Sequence, residues 1–99
     1  MIDGNPKEFI DKLSYEDHYV IFQGKKFFLN GCQSKKDENG NIIDVVLEVY
    51  NLTDSRTIFT VTKKSAFECI QAFENAKIWN KKAFWEAESE IEWIDCWKL

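Results

Sequence analysis

Residues 36–62 read KDENGNIIDVVLEVYNLTDSRTIFTVT, and this stretch decides the fold. Behind Lys36, the run Asp37-Glu38-Asn39-Gly40-Asn41 is a turn signal with Asn-Gly at its heart, because both residue types accept left-handed backbone. From residue 42 to residue 52 the side chains alternate. Val45, Leu47 and Val49 share one face, and Asp44, Val46, Glu48 and Tyr50 share the other. The charged residues mark the second face as the wet one. Thr53-Asp54-Ser55 makes the next turn, and residues 56–62, rich in Thr, Ile, Phe and Val, form the following strand. Connections this short imply an antiparallel meander.

Upstream, Tyr19-Val20-Ile21-Phe22 reads as a strand entered at His18, and Gly24-Lys25 as a two-residue type II′ turn into a further strand over residues 26–34. Before it, Asn5 can cap a helix, Pro6 suits the first helical position, and Phe9, Ile10 and Leu13 fall on one face. The spacing predicts a helix over residues 6–14, too short to stand alone and so docked on the sheet. Downstream, Ser65 with Glu68 makes a capping box, and Ala66, Cys69, Ile70, Phe73 and Ala76 recur at helical spacing. A break at residues 75–80 contains Asn80, suited to left-handed backbone. Beyond it, Phe84, Ala87, Ile91 and Ile94 fit one helical face, while Glu90-Ile91-Glu92-Trp93 alternates as a strand does. A helix over residues 82–90 with an irregular end is the favoured reading. The expected fold is one α+β domain over residues 1–99. A short N-terminal helix precedes a four-stranded (or three-stranded) antiparallel meander, and one or two C-terminal helices pack on one face of the sheet.

The composition supports a packed core, with 44% hydrophobic and 15% aromatic residues in 99. Disordered chains are aromatic-poor. A formal net charge of −4 weighs against nonspecific binding to phosphate backbones. Cys32, Cys69 and Cys96 are odd in number and far apart, so they predict reduced, partly buried thiols rather than a disulfide framework. With His18 as the single histidine, neither a metal site nor a cofactor is expected. The start, Met-Ile-Asp-Gly-Asn-Pro-Lys-Glu, lacks the basic and apolar run of a signal peptide. No run reaches the length of about 18 apolar residues that a membrane helix needs. The expected location is the cytoplasm.

No nucleophile signature accompanies His18, so the chain is not expected to be an enzyme. The unusual stretch is the last one. Glu86, Glu88, Glu90, Glu92 and Asp95 lie together with no Lys or Arg among them, and Trp79, Trp85, Trp93 and Trp97 are interleaved with them or close by. On a helix, Glu88 and Glu92 would repel at i, i+4, as would Glu86 and Glu90. Tryptophan is enriched in binding hot spots. The candidate partner-binding residues are therefore Trp79, Trp85, Glu86, Glu88, Glu90, Glu92 and Trp93, facing a basic protein.

Ile70-Gln71-Ala72-Phe73-Glu74-Asn75, followed by this acid-rich aromatic segment, is similar to the small acidic phage anti-CRISPR proteins that inhibit Cas9-type nucleases. The resemblance covers about a third of the chain. It implies an inhibitor whose acidic face occupies the nuclease's site for the PAM duplex, with Glu86, Glu88, Glu90 and Glu92 as the nearest counterparts. The sequence departs from that pattern in its modest charge and its pairs Lys25-Lys26, Lys35-Lys36, Lys63-Lys64 and Lys81-Lys82. Besides a small enzyme built around His18 or a cysteine, two other readings stay open. One is a single-stranded nucleic-acid binder that stacks bases on Phe28, Tyr50 and Phe59, provided they face away from the helices. The other is a structural subunit of a larger assembly.

Overall fold

The computed structural model of the chain describes residues 6–94. It runs as helix α1 (Pro6–Leu13), strands β1 (His18–Phe22), β2 (Lys25–Lys36), β3 (Ile42–Asn51) and β4 (Arg56–Lys63), helices α2 (Ala66–Asn75) and α3 (Phe84–Ala87), a 3-10 turn (Glu88–Glu90) and strand β5 (Ile91–Ile94). The strands form one antiparallel sheet in the order β4-β3-β2-β1-β5. The fold is thus a small α+β domain with a short N-terminal helix and C-terminal helices on one face of the sheet. Asn5 as the α1 cap, together with Asp95, Cys96 and Trp97, lies outside the described residues.

Strand β3 alternates as its sequence demands. Val45, Leu47 and Val49 are buried, and the residues between them are half-exposed. Their register carries the same face across the sheet to Leu29 on β2, Val20 on β1 and Val61 and Phe59 on β4. All three helices press on that face. Phe9, Ile10 and Leu13 of α1, Cys69, Ile70 and Phe73 of α2, and Phe84 and Ala87 of α3 join the strands in a single core. Ser65 caps α2, its Oγ accepting the Glu68 N–H at 3.2 Å. The Ser65 hydroxyl in turn donates to Glu68 Oε1. Asn80 is left-handed, as its residue type predicts.

Three elements differ from the sequence reading. The β1–β2 turn is Gln23-Gly24 rather than Gly24-Lys25. Lys25 pairs with Phe22, and φ is positive at both Gln23 (49°) and Gly24 (76°), which makes the turn type I′. The helix expected over 82–90 is only one turn of α-helix and one of 3-10 helix. The chain after it becomes a fifth strand, so the four-stranded meander is a five-stranded sheet. The free edge of β1 explains this change. β5 pairs with it from Phe22↔Ile91 to Tyr19↔Ile94, which satisfies backbone groups that would otherwise face solvent and buries Ile91. Ending the helix early also separates the like-charged pairs that a longer helix would have stacked.

A bulge interrupts β2. Asn30 pairs with Glu48 and Gln33 with Val46, so Gly31 and Cys32 together oppose Leu47. The extra N–H, at Gly31, donates to Asp17 Oδ1 at 2.8 Å. Cys32 and Cys69 are free thiols, half-buried and buried respectively. Burial pushes the Cys32 thiol up to about 11 and the Cys69 thiol in the same direction. No helix among the described residues is long and apolar enough to cross a membrane.

Candidate functional site

The structure separates the residues that sequence reasoning grouped. Trp79 is a core residue, 1% exposed, with its ring set edge-on against Phe22, Phe27 and Phe73. It leaves the candidate surface, a correction that follows from the chain reversal after it. Trp79 and Lys82 exchange backbone hydrogen bonds, and Asn80 and Lys81 between them are both left-handed, which carries the backbone round while the indole turns inward. Trp93 pairs with Val20 on the helix side of the sheet and is half-buried. Its ring stands edge-on to Phe9 at 5.2 Å and to His18 at 4.8 Å. Glu92, its neighbour, pairs with Ile21 and points to the opposite side.

The other carboxylates are divided between local duties and solvent. Glu86 Oε1 accepts the Ala83 N–H at the start of α3. Glu90 pairs with Lys82 at 2.8 Å. Glu88 is half-buried at the head of the 3-10 turn.

What stays outward is Trp85. It is 45% exposed, rests edge-on against buried Phe84 at 5.0 Å, and donates its indole N–H to Glu74 Oε2 at 2.6 Å. A charge-assisted bond of this length fixes the ring's orientation. Phe67, two turns before Glu74 on the same face of α2, is 68% exposed. Trp85 and Glu74 thus meet on the helical side, with Phe67 exposed further along α2 and Glu86 and Glu88 following Trp85 in the chain. Sequence reasoning assigned no role to Glu74 or Phe67. Phe67 could have been found, because it falls off the stripe made by Cys69, Ile70 and Phe73.

The far face of the sheet carries a second aromatic group. Ile94, Tyr19, Phe28, Tyr50 and Thr57 are successive cross-strand partners, and the Tyr19 and Phe28 rings lie 5.0 Å apart. Among the described residues no helix covers this row. Phe59 does not belong to it, since the β4 ring turns inward against Phe73.

His18 is 2% exposed, between Phe9 and Trp93. Its Nε2–H donates to the Phe9 carbonyl at 2.8 Å, tying α1 to β1. Burial holds its pKa below the usual imidazole range, against the opposing pull of the Phe9 and Asp17 carbonyls. The unfolded chain therefore takes up this proton more readily than the folded one. Stability is complete above the unfolded value and falls as pH drops through it toward the lower folded value. Asp37, bound by the Asn41 N–H, and Asp54, bound by Lys25, are held below the usual carboxylate range and titrate further down. Thermal melts between about pH 7 and about pH 5 should therefore isolate His18. Tm is expected to fall in the wild type and to fall less in His18→Gln; equal slopes would contradict this account.

Among the described residues, no three His, Cys, Asp or Glu side chains are grouped to hold a metal ion. Comparison with family models, with curated proteins and with solved structures finds no match.

Proposed function

We propose that the chain is a non-enzymatic binding or inhibitor module whose anchor is Trp85, held by Glu74 and followed in the chain by Glu86 and Glu88, and directed at a basic protein. The observation that carries this reading is the exposed indole held at 2.6 Å by Glu74. A large ring whose rotamer is already fixed loses little conformational entropy on docking. An arginine laid over it would meet both its π-face and the adjacent carboxylates.

An arginine-rich peptide serves as probe in a fluorescence titration at low salt. Binding is expected to perturb the exposed tryptophan and to weaken with added salt. Trp85→Ala is expected to cost about 2 kcal/mol, or roughly thirtyfold, as truncation of a hot spot does. Unchanged affinity in that variant would overturn the reading.

The uncovered row Tyr19–Phe28–Tyr50 favours a second reading, in which the sheet stacks single-stranded nucleic acid. A labelled oligo(dT) separates the two. On the second reading it binds, and binding is lost in Phe28→Ala but kept in Trp85→Ala.

A further inference from the structure

At the end of the sheet where the β1–β2 and β3–β4 turns meet the α2–α3 connection, the chain encloses a cleft of about 540 Å³. This volume is within the usual range of small-molecule sites. At its floor lie the nearly buried rings of Phe22 and Phe27, with half-buried Ile58 and Ile78 beside them. Lys25, Arg56 and Lys77 line its rim, against a single carboxylate, Asp54. That carboxylate is already engaged. Its Oδ2 accepts from Lys25 Nζ at 2.7 Å and from Asn51 Nδ2 at 3.1 Å, and Asn51, 3% exposed, takes the Asp54 N–H on its own Oδ1 at 2.8 Å. Arg56 and Lys77 have no carboxylate within salt-bridge distance among the described residues, although the charge of Arg56 reaches Asp54. In a protein of net charge −4, the cleft is thus a local cationic region over an apolar floor.

The walls are preformed. The four non-glycine residues with left-handed backbone, Gln23, Ser55, Asn80 and Lys81, all lie in or beside this cleft. Behind the floor stands Trp79, edge-on to Phe22 and Phe27, so the two floor rings cannot sink inward.

We propose that this cleft binds a small amphipathic anion, with its apolar or aromatic body on Phe22, Phe27, Ile58 and Ile78 and its carboxylate or phosphate at Arg56 and Lys77. The division of labour follows from the lining. The floor offers no polar group to orient a ligand, and Arg56 and Lys77, outside any salt bridge among the described residues, supply the direction. The site lies apart from Trp85 and does not depend on the reading of that surface.

The test is a two-dimensional NMR titration of the full chain with 2-naphthoate, 2-naphthalenemethanol and inorganic phosphate. 2-Naphthoate is expected to shift the amides of residues 22–27, 51–58 and 77–80. Its affinity is expected to drop at least about tenfold in Arg56→Gln/Lys77→Gln and for the neutral alcohol. Both substitutions are at exposed positions, so the variant's unliganded spectrum serves as the control for folding. The proposal is overturned if naphthoate moves none of these amides, if the double variant or the alcohol binds as tightly, or if phosphate alone binds as well as naphthoate.

Discussion

Trp79→Ala is expected to destabilise the domain by about 3–5 kcal/mol, the range for emptying a large aromatic site. A domain of this size has a total stability on the order of 5–15 kcal/mol, so the variant stands at the edge of unfolding. The size of the effect comes from the ring's position. Trp79 contacts three phenylalanines, from β1, β2 and α2, and thereby helps join the sheet to the helical layer. Trp79→Phe is expected to behave differently. The indole Nε1 is buried and has no hydrogen-bond partner among the described residues. Burying an unsatisfied donor costs about 1–3 kcal/mol, and phenylalanine removes that penalty while it gives up part of the packing. The loss in Trp79→Phe should therefore be less than half the loss in Trp79→Ala. Urea unfolding of both variants checks this. Equal losses would mean that the N–H is satisfied and that volume alone matters.

The contrast between Trp79 and Trp85 shows what the sequence does and does not disclose. Strands β1 to β4 are legible because alternation and turn chemistry are local, and each pairs with its neighbour through a short turn. Strand β5 is legible only as the alternation of Glu90 to Trp93, which competes with Phe84, Ala87, Ile91 and Ile94 keeping helical spacing straight through the junction. The deciding fact is a free edge on β1, more than sixty residues away in the chain. The acidic cluster is legible as a composition but not as a surface. Glu86 turns back on the Ala83 N–H at the start of α3, and Glu90 pairs with Lys82 where the helix has already ended at Ala87. Four tryptophans near the C-terminus read alike in one dimension. A left-handed reversal at Asn80 and Lys81 sends one of them into the core, while Glu74, from the preceding helix, holds another outside. The cationic cleft leaves no sequence signal at all, because its lining comes from two turns, four strand ends and an interhelical connection, none of which is unusual alone.

Gly31→Ala is expected to cost about 2–4 kcal/mol, although it adds only a single methyl group at the buried residue of the bulge. A Cβ at this position would collide with the Glu16 carbonyl oxygen, and the Glu16 carbonyl carbon would lie only 2.7 Å away. Both are backbone atoms, so no side chain can swing aside. Either the segment after α1 lifts or the bulge flattens, and overpacking of this kind costs about 1–3 kcal/mol. Either movement also stretches the bond from the Gly31 N–H to the Asp17 carboxylate, worth about 1.5–3 kcal/mol as a hydrogen bond to a charged group. Asp17→Ala removes only that second contribution, and Asp17→Asn keeps an acceptor and should lose less. Because the two sites share one contact, their effects should not add. Gly31→Ala/Asp17→Ala is expected to be more stable than the sum of the single losses predicts, by about 1 kcal/mol or more. Urea unfolding of the four proteins, with equal m values, measures that coupling. Strict additivity would show that the 14–17 segment and the bulge tolerate the methyl group independently, and that Gly31 serves the bend of β2 rather than the close approach of Glu16.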